Sequence, residues 1–194
     1  MAHNNKEVLE YWNKDEIESM YDKHLINAEI ELILSKLTPG AKILDAGCGE
    51  GEGTLEYAKI KGVNICAVDF SETRLFKARK RLKNCTNVSL KQVDFLSNYI
   101  LDSDFDFIIA QRFLINLMEW DLQKKVILDL IGLLKKGGCL LMLEGSKDGV
   151  DALNSVRGLM GLDPIKVKWH NKFFTDKQLK ELISENDLTL VEKN

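Results

Sequence analysis

Apolar positions follow a helical period before residue 38 and gather into short runs after it. Val8, Leu9, Tyr11, Trp12, Ile17, Met20, Tyr21, Leu25, Ile26, Ile30, Ile33, Leu34 and Leu37 recur at intervals of three and four. That spacing lines one buried face, so residues 5 to 37 are expected to be helical, with Thr38-Pro39-Gly40 as the stop. Beyond it, strands are expected at Ile43–Ala46, Asn64–Val68, Val88–Phe95, Phe105–Ala110, Cys139–Glu144 and Leu188–Glu192. Helices are expected between them. One runs from Ser71 through Lys83, with Leu75, Phe76 and Leu82 inward and Lys77 to Lys83 as a solvated basic face. Another runs from about Asp121 to Leu134, stopped by Lys135-Lys136-Gly137-Gly138. A short helix is expected at Asn154–Leu159, an extended segment at Lys166–Phe174 and a capped helix at Thr175–Ile183. Strands alternating with helices in this way predict an α/β domain with a mainly parallel sheet.

The first strand ends in Asp45, and glycines follow at 47, 49, 51 and 53. Residues without Cβ let a ligand approach the backbone and make positive φ inexpensive. The dinucleotide fingerprint G-x-G-x-x-G fails here in both registers, because its third glycine would fall on Glu52 or Thr54. No phosphate-binding lysine is present, and Asp45, Glu50 and Glu52 would repel a pyrophosphate, so a cationic ligand suits the turn better. Asp69-Phe70 lies at the end of the second strand, 18 residues past Gly51. A carboxylate so placed can accept from ribose hydroxyls or cap the helix that follows. The third strand ends in Asp94-Phe95. Open parallel sheets bind ligands beyond the carboxyl ends of their strands, so the three acids are expected to face one crevice.

These motifs resemble those of the class I S-adenosylmethionine-dependent methyltransferases, over residues 40 to 145 above all. The resemblance implies a three-layer Rossmann-like fold with helices on both faces of the sheet and an N-terminal helical cap. It implies S-adenosylmethionine as cofactor and S-adenosylhomocysteine as product. Gly47, Cys48, Gly49 and Gly51 would lie under the methionine part, with Asp45 near its charges. Asp69 and Phe70 would take the ribose, and Asp94 and Phe95 the adenine. After the fourth strand, Gln111, Arg112 and Asn116 would border the methyl group and the acceptor; many relatives carry a histidine near Asn116. Glu144 could orient the acceptor or take its proton, and Tyr11, Trp12 and Tyr21 could wall the site from the cap. Arg157 could hold an anionic acceptor, His170 could act as general base and Asn171 could bind substrate. The family's seventh strand has no counterpart after residue 192.

A single domain is expected: a cap over 1–38, a cofactor-binding core over 40–145, an acceptor insert over 146–174 and a terminal helix and strand over 175–194. At 45% hydrophobic and 29% charged, the 194 residues suit a globular chain rather than a disordered one. A net charge of −3 argues against a nucleic-acid acceptor. No apolar run approaches bilayer length and no leader pattern opens the chain, so no membrane partner and a cytoplasmic location are expected. Four cysteines without a C-x-x-C pair and three scattered histidines give no metal site. The expected reaction is methyl transfer to an oxygen or nitrogen of a small polar or sugar-type acceptor. The alternatives are a non-catalytic cofactor-binding partner subunit and a nucleotide-dependent oxidoreductase.

Overall fold

The computed structural model describes residues 5–17 and 22–192. Strands β1 (Lys42–Ala46), β2 (Asn64–Asp69), β3 (Val88–Gln92), β4 (Phe105–Gln111) and β5 (Leu134–Leu143) form one sheet in the order β3-β2-β1-β4-β5. All four pairings are parallel. The chain moves outward from β1 to β3 and then returns to lay β4 against the other side of β1, which sets the switch point at the ends of β1 and β4. Strand alternation divides the core in two. Leu44, Val68 and Ile108 face one cluster with Val126, Ile127 and Leu130. Ile43, Ala67 and Ile109 face the other with Ile30, Ile33 and Tyr57. Both sheet faces are thus covered, as near-continuous apolar parallel strands require.

The covering helices are α1 (Asn5–Trp12), α2 (Lys23–Leu34), α3 (Glu52–Tyr57), α4 (Glu72–Arg81), α5 (Trp120–Gly132), α6 (Lys147–Leu159) and α7 (Asp176–Glu185). The predicted helical stretch 5 to 37 divides into α1 and α2; Met20 and Tyr21 lie outside the described residues. Asp22 starts α2 by accepting from the backbone N–H groups of His24 and Leu25. Thr175 and Gln178 form the capping box of α7.

Six expectations need correction. The third strand stops at Gln92, so Asp94 and Phe95 lie beyond it, and the helix expected at Asn154–Leu159 begins at Lys147. The stop Lys135–Gly138 belongs to β5, which starts at Leu134; a Cβ on Gly138 would sit 2.8 Å from Phe105 O, so glycine serves close strand approach there. Leu188–Glu192 forms no strand: no ladder partner meets it, and Leu190 and Val191 are exposed. A β-rich sequence alone does not supply the pairing. The extended segment 166–174 contributes one isolated bridge, between Ser146 and Phe174. Phe76 points outward with the Lys80 ammonium 4.1 Å from its ring centre.

Candidate functional site

The glycine turn is fixed by the neighbouring strand, since the N–H groups of Gly47 and Cys48 both donate to Val68 O, at 2.8 and 2.9 Å. Gly47, Gly49 and Gly51 all have left-handed φ, of 75°, 55° and 77°. Their surroundings differ. A Cβ on Gly47 would strike Phe113 at 2.7 Å, whereas one on Gly49 would meet nothing within 4 Å. Gly51 stands off the crevice as the residue before α3, close to Leu82.

Asp45, Asp69 and Asp94 line one crevice together with Gly47, Cys48, Gly49, Phe70 and Phe95. Asp69 Oδ2 accepts from Gly49 N–H and Oδ1 from Ser71 N–H, both at 2.9 Å. Ser71, not Asp69, is the side-chain cap of α4. Asp45 Oδ2 accepts from the Thr54 hydroxyl at 2.6 Å. Burial pushes the Asp45 carboxyl up to about 6; the Thr54 bond opposes this and the Asp69 charge adds to it. Burial raises Asp69 as well, against the N–H groups of Ser71 and Gly49. Asp94 accepts from Leu96 N–H at 2.9 Å.

The other two acids of the turn do not present free charge to a ligand. Glu50 pairs with buried Arg74 and with Lys77, and Glu52 pairs with Arg81. Negative potential in the crevice therefore rests on the strand-end carboxylates, and part of the predicted basic face of α4 is engaged with the turn.

Across the crevice, Gln111, Arg112, Asn116, His170 and Asn171 lie on the wall. Their polar groups hold each other and the loop. Arg112 makes a bidentate pair with Glu29 of α2, at 2.7 to 3.0 Å. Gln111 Nε2 donates to the same carboxylate at 2.8 Å and Gln111 Oε1 accepts from Tyr57 OH. Asn116 Oδ1 accepts from Trp12 Nε1–H at 2.9 Å, and its Nδ2 donates to Arg112 O.

Glu144 is off the wall. Its carboxylate accepts from the N–H groups of Phe113, Leu114 and Ile115, at 2.8 to 3.3 Å, and so anchors the 3-10 turn Leu114–Asn116. Removal from water pushes it up to about 8, opposed by those three N–H groups. The residue expected to orient the acceptor or take its proton is held by this loop. His170 is buried, stacked on Tyr11 at 4.5 Å and edge-on to Trp12 at 5.2 Å. Burial lowers its pKa to about 4, and its Nδ1 has no hydrogen-bond partner. Tyr11 stands behind His170 and off the crevice wall, and Tyr21 lies outside the described residues. Arg157 is also off the wall, with its Nε donating to Asp163 O at 2.8 Å.

Sequence reading missed Glu29, Arg74 and Phe113. Arg74 donates to Trp12 O and Ile17 O as well as to Glu50, tying α1 to the glycine turn. No local signal marks these side chains, because their partners lie 24 to 83 residues away. Among the described residues no group of three or more His, Cys, Asp or Glu could hold a metal ion, and no helix is long and apolar enough to cross a membrane.

Residues 43–138 match the family model described as "Methyltransferase domain". Among curated proteins, the demethylmenaquinone methyltransferase of Staphylococcus carnosus (strain TM300) is 26% identical over 129 residues, covering 66% of this chain and 52% of that protein. The chain spans about half the length of the curated relatives it matches. Among solved structures, the [4+2]-cyclase SpnF superposes with a TM-score of 0.72 at 19% identity, covering 95% of this chain and 73% of that one. Magnesium protoporphyrin IX methyltransferase from Synechocystis PCC 6803, with bound S-adenosylhomocysteine, gives 0.67 at 16% identity, covering 98% and 88%. Such distant structures share the fold; the matched domain, its glycine turn and the sheet order carry the assignment further. The chain belongs to the class I S-adenosylmethionine-dependent methyltransferase family.

Proposed function

We propose that this chain transfers a methyl group from S-adenosylmethionine to a planar, largely apolar acceptor. The observation that carries this is the convergence of Asp45, Asp69 and Asp94 with the glycine turn on one crevice. The residues fit the cofactor. Gly49 leaves open space where any other residue would place a Cβ, and each Asp69 oxygen accepts one backbone N–H, leaving lone pairs for hydroxyl donors. Asp69 and Phe70 would hold the ribose and Asp94 and Phe95 the adenine. Gly47, Cys48 and Gly49 would lie along the methionine part, with Asp45 facing its positive charge. When bound, the cofactor supplies an electrophilic methyl group.

The rest falls to the acceptor side, formed by the N-terminal helices and residues 146–174. Glu29 holds Arg112 and Gln111, while Glu144 holds the 3-10 turn, so the wall is rigid where alignment matters. Leu9, Trp12, Phe113, Ile115 and Leu117 give that wall an apolar surface that excludes water. Neither expected base is suited to deprotonating an alcohol. Glu144 is spent on backbone N–H groups, and His170, at about 4, is a weak base. The acceptor therefore arrives nucleophilic in its own right, as an unprotonated amine or an electron-rich aromatic ring.

The hydroquinone form of a quinone-type acceptor, the kind named for the Staphylococcus carnosus relative, meets that description, its ring carbon gaining the methyl and releasing its proton to solvent. A sugar-type acceptor fits less well, because Arg112 and Asn116 are engaged and Arg157 stands elsewhere. Incubation with methyl-labelled S-adenosylmethionine and two acceptor panels tests this. Label is expected in electron-rich aromatic acceptors. Label in sugars alone would overturn the acceptor class, and cofactor binding without transfer to either panel would favour a non-catalytic subunit.

A further inference from the structure

Among the described helices α6 alone buries no residue. Yet it is not polar. Leu153, Val156 and Met160 follow one another at three and four along its face, 49%, 54% and 69% exposed, with Leu159 beside them at 90%. The segment after it continues the surface through Leu162, Ile165, Val167 and Trp169. Eight of the thirteen large apolar residues exposed among the described residues thus fall between 153 and 169. A soluble surface rarely leaves so continuous an apolar patch without an occupant.

Charge indicates which occupant. The chain as a whole carries −3, yet residues 153–174, which hold the apolar patch, have four basic side chains, Arg157, Lys166, Lys168 and Lys172, against one acid, Asp163, while Asp148 and Asp151 stand with Lys147 at the far end of α6. Apolar side chains on a helix, flanked by basic residues and a half-exposed tryptophan, match an element lying in a lipid–water interface. Long basic side chains can lie along the apolar surface and reach anionic headgroups. A second copy of the chain is a poorer match, because a two-fold contact would press this positive patch against itself. The patch also leads to the crevice. His170 and Asn171 line it, and the Trp169 ring meets Tyr11 edge-on at 5.1 Å.

We propose that α6 and residues 160–169 dock on an anionic lipid bilayer surface, with the crevice mouth beside the docked face. The expectation of no membrane partner came from the absence of a spanning run; a helix lying in the interface needs none. Docking stands apart from methyl transfer and does not depend on it.

Vesicle co-sedimentation of the full chain tests the proposal, using phosphatidylcholine vesicles with and without phosphatidylglycerol. Binding is expected to the mixed vesicles and to be weak on phosphatidylcholine alone. Lys166→Glu should lower partitioning about tenfold, and the double variant Leu159→Glu/Met160→Glu by more than about a hundredfold. All these positions are exposed, and matched melting curves would verify folding. Equal binding by the double variant, or no binding to the mixed vesicles, would overturn the proposal. So would a dimer in light scattering without lipid that the double variant abolishes, since that would make the patch a contact between copies.

Discussion

The two walls of the crevice are built by different means. The proposed cofactor side comes from residues 45 to 95, where strand ends and a glycine turn are joined by backbone bonds such as Gly47 N–H to Val68 O. The proposed acceptor side is assembled from α1, α2, the 3-10 turn and residues 168–171, held by side chains spanning long separations: Trp12 to Asn116, Arg112 to Glu29, Glu144 to the turn. Backbone scaffolding leaves a pattern in the sequence that side-chain scaffolding does not. It also tolerates substitution differently, since a backbone wall fails at its glycines and a side-chain wall fails at its anchors.

The largest effect is expected at an anchor. Glu144→Ala would leave three N–H groups without an acceptor, costing about 3 kcal/mol in denaturant unfolding. Glu144→Gln keeps one carbonyl oxygen for Phe113 and Leu114 and should cost far less. Because the folded carboxyl is raised to about 8, its contribution is full below its unfolded value and is lost as pH rises through about 8. The stability gap between wild type and Glu144→Gln should therefore shift in favour of Gln between pH 5 and 9.

Next come the glycines. Gly47→Ala combines left-handed strain of about 1–2 kcal/mol with a contact on Phe113, so it should disturb both walls. Gly49→Ala carries similar strain into open space and should weaken cofactor binding with less loss of stability. Equal behaviour of the two variants in calorimetry and thermal melting would erase the distinction between the walls.

A smaller effect concerns pH. Asp45 titrates near 6, and its ionised form is the one that attracts a cation. S-adenosylmethionine affinity should therefore rise several-fold from pH 5 to 7 and level off above, with proton release on binding. The smallest effect is expected for His170→Phe, which keeps a stacked ring against Tyr11. Turnover should stay within about threefold of wild type, because an imidazole of pKa about 4 contributes little as a base. A collapse of turnover at unchanged KM would restore His170 as base.

These differences explain what the sequence disclosed. Asp45 and Asp69 were legible because each closes an apolar run, and Asp94 because it follows β3 by two residues, and the parallel sheet sends all three to one edge. Leu188–Glu192 was misread because its residues suit a strand while the ladder that would make one lies elsewhere. Glu144 was legible in position, but its hold on the 3-10 turn was not, since its three backbone partners lie 29 to 31 residues earlier. Glu29 was invisible, being a helix acid like any other until β4 ends beside it.

The central claim is that the strand-end carboxylates grip one cationic nucleoside, and calorimetric titration of wild type and Asp69→Ala with S-adenosylmethionine and NAD tests it most directly. The account predicts one-to-one binding of S-adenosylmethionine to wild type, affinity about a hundredfold lower in folded Asp69→Ala, and no binding of NAD. Tight NAD binding without S-adenosylmethionine binding, or an Asp69→Ala affinity equal to wild type, would contradict it.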